Sequence, residues 1–352
     1  MRYELLADGG RFALMPSLQE ASAIAEHWEN EGHTGVWVYD HKDQKFLMRR
    51  GDASSSDGIT TTHYFRDRVE EDCDTAKLTV LNYSAGKQST CLLWMVLRGE
   101  IETPENFIVL RADPGMENSE TYRHAEMMRE ECAQAGIEYY VADGPNLYED
   151  LVDLDGSETR LDNPPYWTKD EKGKIGKLRH KCTRNYKIAP MDRFIRKYLE
   201  EHFGISRKTS RLGDGAVEKW IGFSKDEAQR IKPPSRKYIR FRYPLIDLGM
   251  TTEDVIQFYE DRGLQRPPRS VCNACFANGL DVLEEMYHNR PDDWEQAVNV
   301  DEAVRDLSSI GVEDEVYVSH TGKPLEQIAE EGFTDAVDNK DEYSCDSGYC
   351  FV

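Results

Sequence analysis

Residues 78–90 read LTVLNYSAGKQST, and this stretch decides the fold. Its first six residues are mostly apolar or β-branched, its turn contains glycine, and residues 89–98 are apolar at helical spacing. The pattern predicts a strand, a tight turn and a helix in immediate succession. Such a turn presents the unpaired N–H groups and the positive dipole end of a helix N-terminus, which suit a phosphate group.

The rest of the chain continues this alternation. After the first helix, strands are predicted at 107–110 and 138–142, with a helix at 119–135 between them. Three further helices are predicted at 189–203, 251–262 and 279–288. Strands that alternate with helices form a parallel sheet, which binds ligands at the carboxyl ends of its strands. The predicted fold class is therefore α/β, with a helical C-terminal region.

Three regions are expected along the chain. Residues 1–75 are predicted to form a small α+β module, with a helix at 17–30 and a hairpin around residues 40–43. Residues 76–306 contain the strand–turn–helix pattern and are predicted to form the main domain. Residues 307–352 are predicted to be an acidic C-terminal tail that carries a cysteine pair.

Composition narrows the classes of function. The 352 residues carry 44 Lys and Arg against 66 Asp and Glu, a net charge of −22. There is neither a signal peptide nor an apolar run near the roughly 20 residues of a membrane span, so we expect a cytoplasmic protein with no membrane partner. Its eight cysteines then suit metal binding, redox chemistry or burial better than disulfides.

The basic residues are concentrated in one part of the sequence. Residues 169–242 contain 22 of the Lys and Arg but 9 of the Asp and Glu, which leaves 22 against 57 in the rest of the chain. We therefore expect an electropositive face on an acidic body, able to hold an anion.

The turn at 84–90 carries the groups that a phosphate needs. Small side chains at Ala85 and Gly86 let the main chain approach an anion, and Lys87 and the hydroxyls of Ser84 and Ser89 add charge and donors. The candidate nucleotide-binding residues of this loop are Ser84, Ala85, Gly86, Lys87, Ser89 and Thr90. It is not a Walker A loop, because the first glycine of that pattern would fall on Val80.

The loop resembles that of the PP-loop ATP pyrophosphatase superfamily, whose pattern is Ser-Gly-Gly-Lys-Asp-Ser. Ala85 and Gln88 depart from this pattern. The superfamily includes phosphoadenosine phosphosulfate (PAPS) reductases, ATP sulfurylase small subunits, tRNA thiolases and DNA phosphorothioation proteins. Three further segments resemble PAPS-reductase-like proteins, at 110–122, 180–190 and 220–230.

This resemblance, which covers about residues 77–306, implies a nucleotide α-hydrolase sheet (PP-loop, Rossmann-like) that binds ATP or PAPS with Mg²⁺. Asp113 would orient the nucleotide or Mg²⁺ from the carboxyl end of the second strand, and Arg230 would contact the nucleotide. Arg184 and Lys187 are further candidates for contact with an anion or substrate. The candidate catalytic residues are Lys87, Asp113 and Cys182.

Cys272 and Cys275 form the only Cys-x-x-Cys pair, and two thiolates at this spacing can bind one metal ion or cluster. Together with Cys182 they resemble the sulfur-transfer branch of the superfamily, which holds a 4Fe–4S cluster through three cysteines. We therefore expect these residues to converge, although 90 positions separate Cys182 from Cys272. A zinc ion (Zn²⁺) bound together with His180, a redox-active thiol pair and buried cysteines remain alternatives.

The other cysteines fall into two groups. Cys73, Cys91 and Cys132 are expected to be structural, since Cys91 and Cys132 lie on predicted helices. Cys345 and Cys350 lie among Gly, Ser and Asp near the C-terminus. PAPS reductases carry a catalytic cysteine on a mobile C-terminal tail, but in a Glu-Cys-Gly-Leu-His motif that is absent here.

These features predict an ATP-binding enzyme that adenylates an acceptor with release of pyrophosphate and acts as a sulfur transferase through a 4Fe–4S cluster. The acceptor is expected to be a nucleic acid or a small molecule, with a sulfur-donor protein as a partner. The alternatives are a thiol-dependent oxidoreductase of the PAPS reductase type and a non-catalytic nucleotide-binding or host-interaction protein.

Overall fold

The computed structural model describes the main body of the chain and four strands that precede it. The described residues of the body are 76–153, 166–179, 181–205, 212, 215–231, 234 and 236–334. Within them, no helix combines the length and the apolar character that crossing a bilayer requires.

The four N-terminal strands are β1 (Tyr3–Leu6), β2 (Phe12–Met15), β3 (Val36–Asp40) and β4 (Lys45–Arg50). They form an antiparallel sheet in the order β2-β1-β3-β4, and β3 with β4 is the predicted hairpin. The helix predicted at 17–30 lies outside the described residues.

Five parallel strands form the central sheet: β5 (Leu78–Asn82), β6 (Phe107–Ala112), β7 (Glu138–Ala142), β10 (Val217–Ile221) and β11 (Ile239–Arg242). Their order is β11-β10-β5-β6-β7, so the chain first builds outward from β5 and then returns to its other side. This is the doubly wound arrangement, and it confirms the α/β prediction. The order reverses between β5 and β10, where such sheets bind their ligands.

The helices of the body are α1 (Lys87–Leu97), α2 (Ser119–Gln134), α3 (Leu147–Val152), α4 (Ala189–Phe203), α5 (Pro244–Asp247), α6 (Thr252–Asp261), α7 (Leu280–Asn289), α8 (Pro291–Ala303) and α9 (Leu325–Glu330). A π-helical turn, Thr183–Ile188, leads into α4, and 3₁₀ turns cover Lys225–Arg230 and Ser308–Ile310. Helices α7, α8 and α9 make up the predicted helical C-terminal region.

Apolar clusters pack on both faces of the central sheet. Helices α1, α2 and α6 cover one face around the fully buried Leu92, Met128 and Trp220. Helix α4 covers the other face around Ile195 and Leu199. Trp220 is thus a core residue of the sheet.

A third apolar cluster, the C-terminal cluster, joins α7, α8 and α9 to a small sheet. That sheet has the order β12-β8-β9 and consists of β8 (Trp167–Lys169), β9 (Ile175–Lys177) and β12 (Glu315–Tyr317). Val316 and Leu325 are fully buried in the cluster. The packed body therefore continues well past residue 306, where the acidic tail was predicted to begin.

Candidate nucleotide and cysteine site

The phosphate loop, residues 84–90, leaves the sheet at the carboxyl end of β5. Ala85 adopts a left-handed conformation with φ 60°, and Gly86 precedes α1 in an extended conformation with φ −87°. The hydroxyls of Ser84 and Ser89 lie 2.9 Å apart, and the Gly86 N–H donates to Ser84 Oγ at 3.3 Å. The loop is thus closed by its own serines, and the first N–H groups of α1 border a cleft.

This cleft lies where the strand order reverses, and we call it the nucleotide cleft after the nucleotide-binding residues that were predicted for it. Its walls come from the phosphate loop, from the residues after β10 and from a segment near residue 269. The lining residues are Asn82, Ser84, Gly86, Lys87, Gln88, Ser89, Ile221, Gly222, Phe223, Glu227, Arg230, Pro267, Pro268, Arg269 and Ser270. The structure therefore brings Ser84, Gly86, Lys87, Ser89 and Arg230 to one cleft.

Arg230 is held in this cleft by its neighbours. Its guanidinium lies 4.3 Å from the centroid of the Phe223 ring and forms an ion pair with Glu227. Glu227 also accepts a hydrogen bond from Gln88 Nε2 at 3.1 Å. Gln88, which departs from the superfamily pattern, thus connects the phosphate loop to the turn that carries Arg230.

Gly222 allows β10 to end against the phosphate loop. A Cβ atom at this position would lie 2.8 Å from Ser89 N and 2.9 Å from Ser89 Cα, which are main-chain atoms. Real Cβ atoms do not approach a main chain this closely, so one of the two segments would have to move. Sequence patterns alone do not reveal this contact.

Gly222→Ala is accordingly expected to lower the free energy of unfolding by about 1–3 kcal/mol, the usual cost of overpacking. Denaturant unfolding measures this change. Gly86→Ala is the control, because its Cβ would meet Ser84 Oγ at 3.4 Å and Ser270 Cβ at 3.6 Å, which are ordinary contacts. Equal losses in the two variants would contradict the tight approach at Gly222.

Thr90 and Ala85 are part of the interior rather than of the cleft wall. Thr90 is fully buried, and its hydroxyl lies 3.2 Å from His124 Nε2 and 3.3 Å from the Tyr83 hydroxyl. Burial lowers the pKa of His124 to about 4, so this histidine is neutral at physiological pH. The structure gives Thr90 a bracing position behind the loop.

Asp113 lies at the carboxyl end of β6, beside the strand that carries the phosphate loop. Its Oδ1 accepts hydrogen bonds from the Gly115 N–H at 2.8 Å and from the Tyr122 hydroxyl at 2.7 Å. Its side chain is 33% exposed, and Oδ2 lies 4.0 Å from Arg111 Nη1. Asp113 is therefore well oriented and accessible, although it does not belong to the cleft lining.

Cys182, Cys272 and Cys275 are each half-buried, and all three pack against the C-terminal cluster. They also share one neighbour, the fully buried Tyr166. Burial, followed by the negative charges that the three cysteines carry when ionised, raises the pKa of Tyr166 well above its usual range. Tyr166 belongs to the C-terminal cluster against which the three cysteines pack.

A metal ion needs several donor side chains placed around one point. Among the residues that the structure describes, no group of three or more His, Cys, Asp or Glu side chains is arranged to hold a metal ion.

Cys91 and Cys132 are buried, and burial raises the pKa of each thiol to about 12, as suits structural cysteines. His180, Cys73, Cys345 and Cys350 lie outside the described residues.

The nucleotide cleft and the cysteines are joined by one short segment. Ser270 Oγ donates a hydrogen bond to the carbonyl oxygen of Ser84 at 2.7 Å. Cys272 follows two residues later, and the Cys275 N–H closes the turn by donating to the Cys272 carbonyl at 3.1 Å. The Cys-x-x-Cys turn is thus attached directly to the phosphate loop.

The basic segment, residues 169–242, contains both buried and exposed cations. Lys187 and Lys219 are buried in ion pairs with Glu117 and Asp192, so neither contributes to a surface. Lys187 is thus an internal ion-pair partner rather than a free anion contact. The exposed cations nearest in sequence to Cys182 are Lys172, Lys174, Lys177, Arg179, Lys181 and Arg184.

No protein-family profile and no curated protein sequence matches the chain. Among solved structures, it is similar to the U34-tRNA thiolase NcsA from Methanococcus maripaludis, solved with its 4Fe–4S cluster. The identity is 14%, the match covers 81% of this chain and 84% of that chain, and the TM-score is 0.34. The NH3-dependent NAD synthetase from Campylobacter jejuni matches at 11% identity, with 78% and 94% coverage and a TM-score of 0.24.

The sheet order and the position of the phosphate loop define the class of fold. A doubly wound parallel sheet carries a Ser-Ala-Gly-Lys-Gln-Ser loop between its first strand and the following helix. The α/β fold with a parallel sheet agrees with the fold class that was predicted from the sequence.

Proposed function

We propose that this chain is an ATP-binding PP-loop enzyme that adenylates an acceptor with release of pyrophosphate and then supports sulfur transfer at its cysteines. The observation that carries the proposal is the Ser270–Ser84 hydrogen bond, because it attaches the Cys-x-x-Cys turn to the phosphate loop. An acceptor activated in the cleft would therefore lie close to the thiols.

In the adenylation step, an acceptor oxygen attacks the α-phosphorus of ATP. A bond forms between that oxygen and the α-phosphorus, the bridging bond to the β-phosphate breaks, and pyrophosphate leaves with the electron pair. The N–H groups at the start of α1, Lys87 and Arg230 would stabilise the negative charge on the phosphates. Since no side chain needs to become covalently attached, positioning and charge neutralisation supply most of the rate.

Asp113 is the residue we assign to Mg²⁺. Carboxylate oxygen is the ligand type that Mg²⁺ prefers, and Asp113 combines a fixed orientation with an accessible side chain. When bound, Mg²⁺ would neutralise phosphate charge. The hydrogen bonds from Gly115 and Tyr122 hold the carboxylate in place before any ligand arrives.

Cys182, Cys272 and Cys275 are the residues we assign to a 4Fe–4S cluster. Thiolate sulfur is the donor that such a cluster takes, and the three cysteines pack against one cluster of buried residues. When bound through three cysteines, the cluster would supply an iron without a protein ligand, open to a sulfide. Tyr166 is protonated at neutral pH, as tyrosines ordinarily are, so it adds no negative charge beside the thiolates.

The acceptor is proposed to be a nucleic acid. Six exposed cations between residues 172 and 184 lie in a chain whose net charge is −22, and Cys182 lies among them. An acidic body repels polyanions in general, so a local cluster of cations beside a reactive group favours a polyanionic partner that binds at this place.

Binding of a single-stranded oligonucleotide is accordingly expected to weaken as salt rises. The double variant Lys172→Ala, Lys174→Ala should reduce the slope of log affinity against log salt by roughly 1.4, because each lost phosphate contact removes about 0.7. Fluorescence anisotropy over a salt series measures the slope. Arg129→Ala, an exposed cation on α2 that pairs with Glu126, is the control and should leave it unchanged. A salt-independent affinity would contradict a nucleic-acid acceptor at this surface.

The reaction itself is tested by mixing the protein, reconstituted under anaerobic conditions, with ATP and a candidate acceptor. Release of pyrophosphate that depends on the acceptor supports adenylation. Release of sulfite from PAPS in the presence of a dithiol would favour a PAPS reductase instead. Tight nucleotide binding with neither product would favour a non-catalytic nucleotide-binding protein.

A further inference from the structure

Glu117 is a buried carboxylate in the segment that follows β6. It is 3% exposed, and each of its oxygens has its own cation. Oε1 accepts from Lys187 Nζ at 2.9 Å, and Oε2 accepts from Arg111 Nη2 at 2.6 Å. Burial opposes its ionisation, but Lys187 and Arg111 outweigh that cost and lower the pKa of Glu117. The group is therefore a buried, charged triad.

The side chain of Glu117 fixes the segment that carries Cys182. Lys187 lies in the π-helical turn Thr183–Ile188, which begins directly after Cys182, and it is 7% exposed. π-Helical turns are rare, and they are frequently found at functional sites. The ion pair to Glu117 gives this turn a fixed contact with the segment after β6.

The main chain of Glu117 fixes the other cysteine segment. Glu117 pairs with Cys272 as an isolated antiparallel bridge. On either side of it, the Asn273 N–H donates to the Met116 carbonyl at 2.8 Å, and the Asn118 N–H donates to the Val271 carbonyl at 3.2 Å. One residue thus contacts both segments, which lie 90 positions apart in sequence.

We propose that Glu117 is a positioning residue that holds the Cys182 turn and the Cys272–Cys275 turn in register. The proposal rests on the proposed function only in treating the three cysteines as one site. Loss of the carboxylate charge leaves Arg111 and Lys187 buried beside each other, and their repulsion drives Lys187 and its turn away. The main-chain bridge to Cys272 remains, so the two cysteine segments separate.

The test measures the distance between the thiols without any cluster. In the reduced protein with Cys73, Cys345 and Cys350 replaced by serine, a short bifunctional thiol reagent should cross-link Cys182 to Cys272 or Cys275, as read by peptide mass spectrometry. Glu117→Gln should slow this cross-linking about tenfold, the scale of one lost charge-assisted contact. Lys187→Met should slow it comparably while keeping the Arg111–Glu117 pair, so it reports on the turn even if Glu117→Gln folds poorly.

Asp192→Asn is the matched control. Asp192 is also a buried carboxylate between a lysine and an arginine, with Lys219 Nζ at 2.6 Å and Arg236 Nε at 3.4 Å, but neither of these cations lies in a segment that carries a candidate cysteine. Its cross-linking rate should equal that of the parent. Unchanged rates in both Glu117→Gln and Lys187→Met would overturn the role of Glu117 and leave the proposed function standing. No cross-link in the parent would overturn the shared cysteine site itself, and the role of Glu117 with it.

Discussion

Cys272→Ser is expected to abolish assembly of the cluster. After anaerobic reconstitution with iron and sulfide, the variant should lack the absorption at about 400 nm and the roughly four iron atoms per chain that the parent acquires. The reason is that two thiolates remain where three are needed, and a serine hydroxyl is not ionised at neutral pH. The fold should survive, since the contacts of Cys272 with Glu117 and Asn278 involve its main chain.

The control for this experiment is Cys345→Ser combined with Cys350→Ser. Neither of these cysteines is assigned to the proposed cluster, so the double variant should bind as much iron as the parent. Parental iron content in Cys272→Ser would remove this residue from the site. A colourless parent that binds zinc would replace the cluster with the zinc alternative.

Lys87→Ala is expected to weaken binding of an adenine nucleotide by about one to two decades. A lost charge-assisted contact costs about 1.5–3 kcal/mol, and Lys87 lines the nucleotide cleft at the start of α1. The chain should stay folded, because Lys87 is not one of the buried side chains of the helix. Titration calorimetry with ATP measures the affinity.

Lys225→Ala is the control for Lys87. Lys225 lies in the turn that carries Arg230 but does not line the cleft, so its loss should leave the affinity nearly unchanged. Equal affinity in Lys87→Ala and in the parent would show that the phosphates of the nucleotide do not bind at the phosphate loop. A similar loss in both variants would indicate a diffuse electrostatic effect rather than a contact.

The phosphate loop was predictable because its signals are local. A strand, a small-residue turn and a helix follow one another within 20 residues, and the structure has β5, the loop and α1 in those places. Ala85 shows how the departure from the superfamily pattern is accommodated. Its left-handed conformation favours glycine, but its methyl group is fully buried, so the gain from burial offsets part of the backbone strain.

The contacts that complete the site depend on residues far apart in sequence. Gln88 meets Glu227 across 139 positions, and Ser270 meets Ser84 across 186. No periodicity or spacing reveals such a pair, since each depends on how strands and loops are brought together by the sheet. Glu117 was missed for the same reason, because a lone glutamate in sequence gives no sign that it will be buried between two cations.

The acidic C-terminal region misled the sequence reading in another way. Charge dominates its composition, yet the few apolar residues that matter, such as Val316 and Leu325, are fully buried against α8 and its neighbours. Asp301 helps to hold this region, because it accepts hydrogen bonds from the main-chain N–H groups of Val318 and Leu325. Composition averages over a segment, whereas packing depends on a small number of positions in it.

The segment from Ser270 to Cys272 has no spare length. Ser270 is tied at one end to Ser84, and Cys272 is tied at the other end to Glu117. Inserting a single residue between them would turn the following side chains to the opposite side of an extended chain, because successive side chains alternate. A lengthened version of this segment could therefore keep only one of its two attachments.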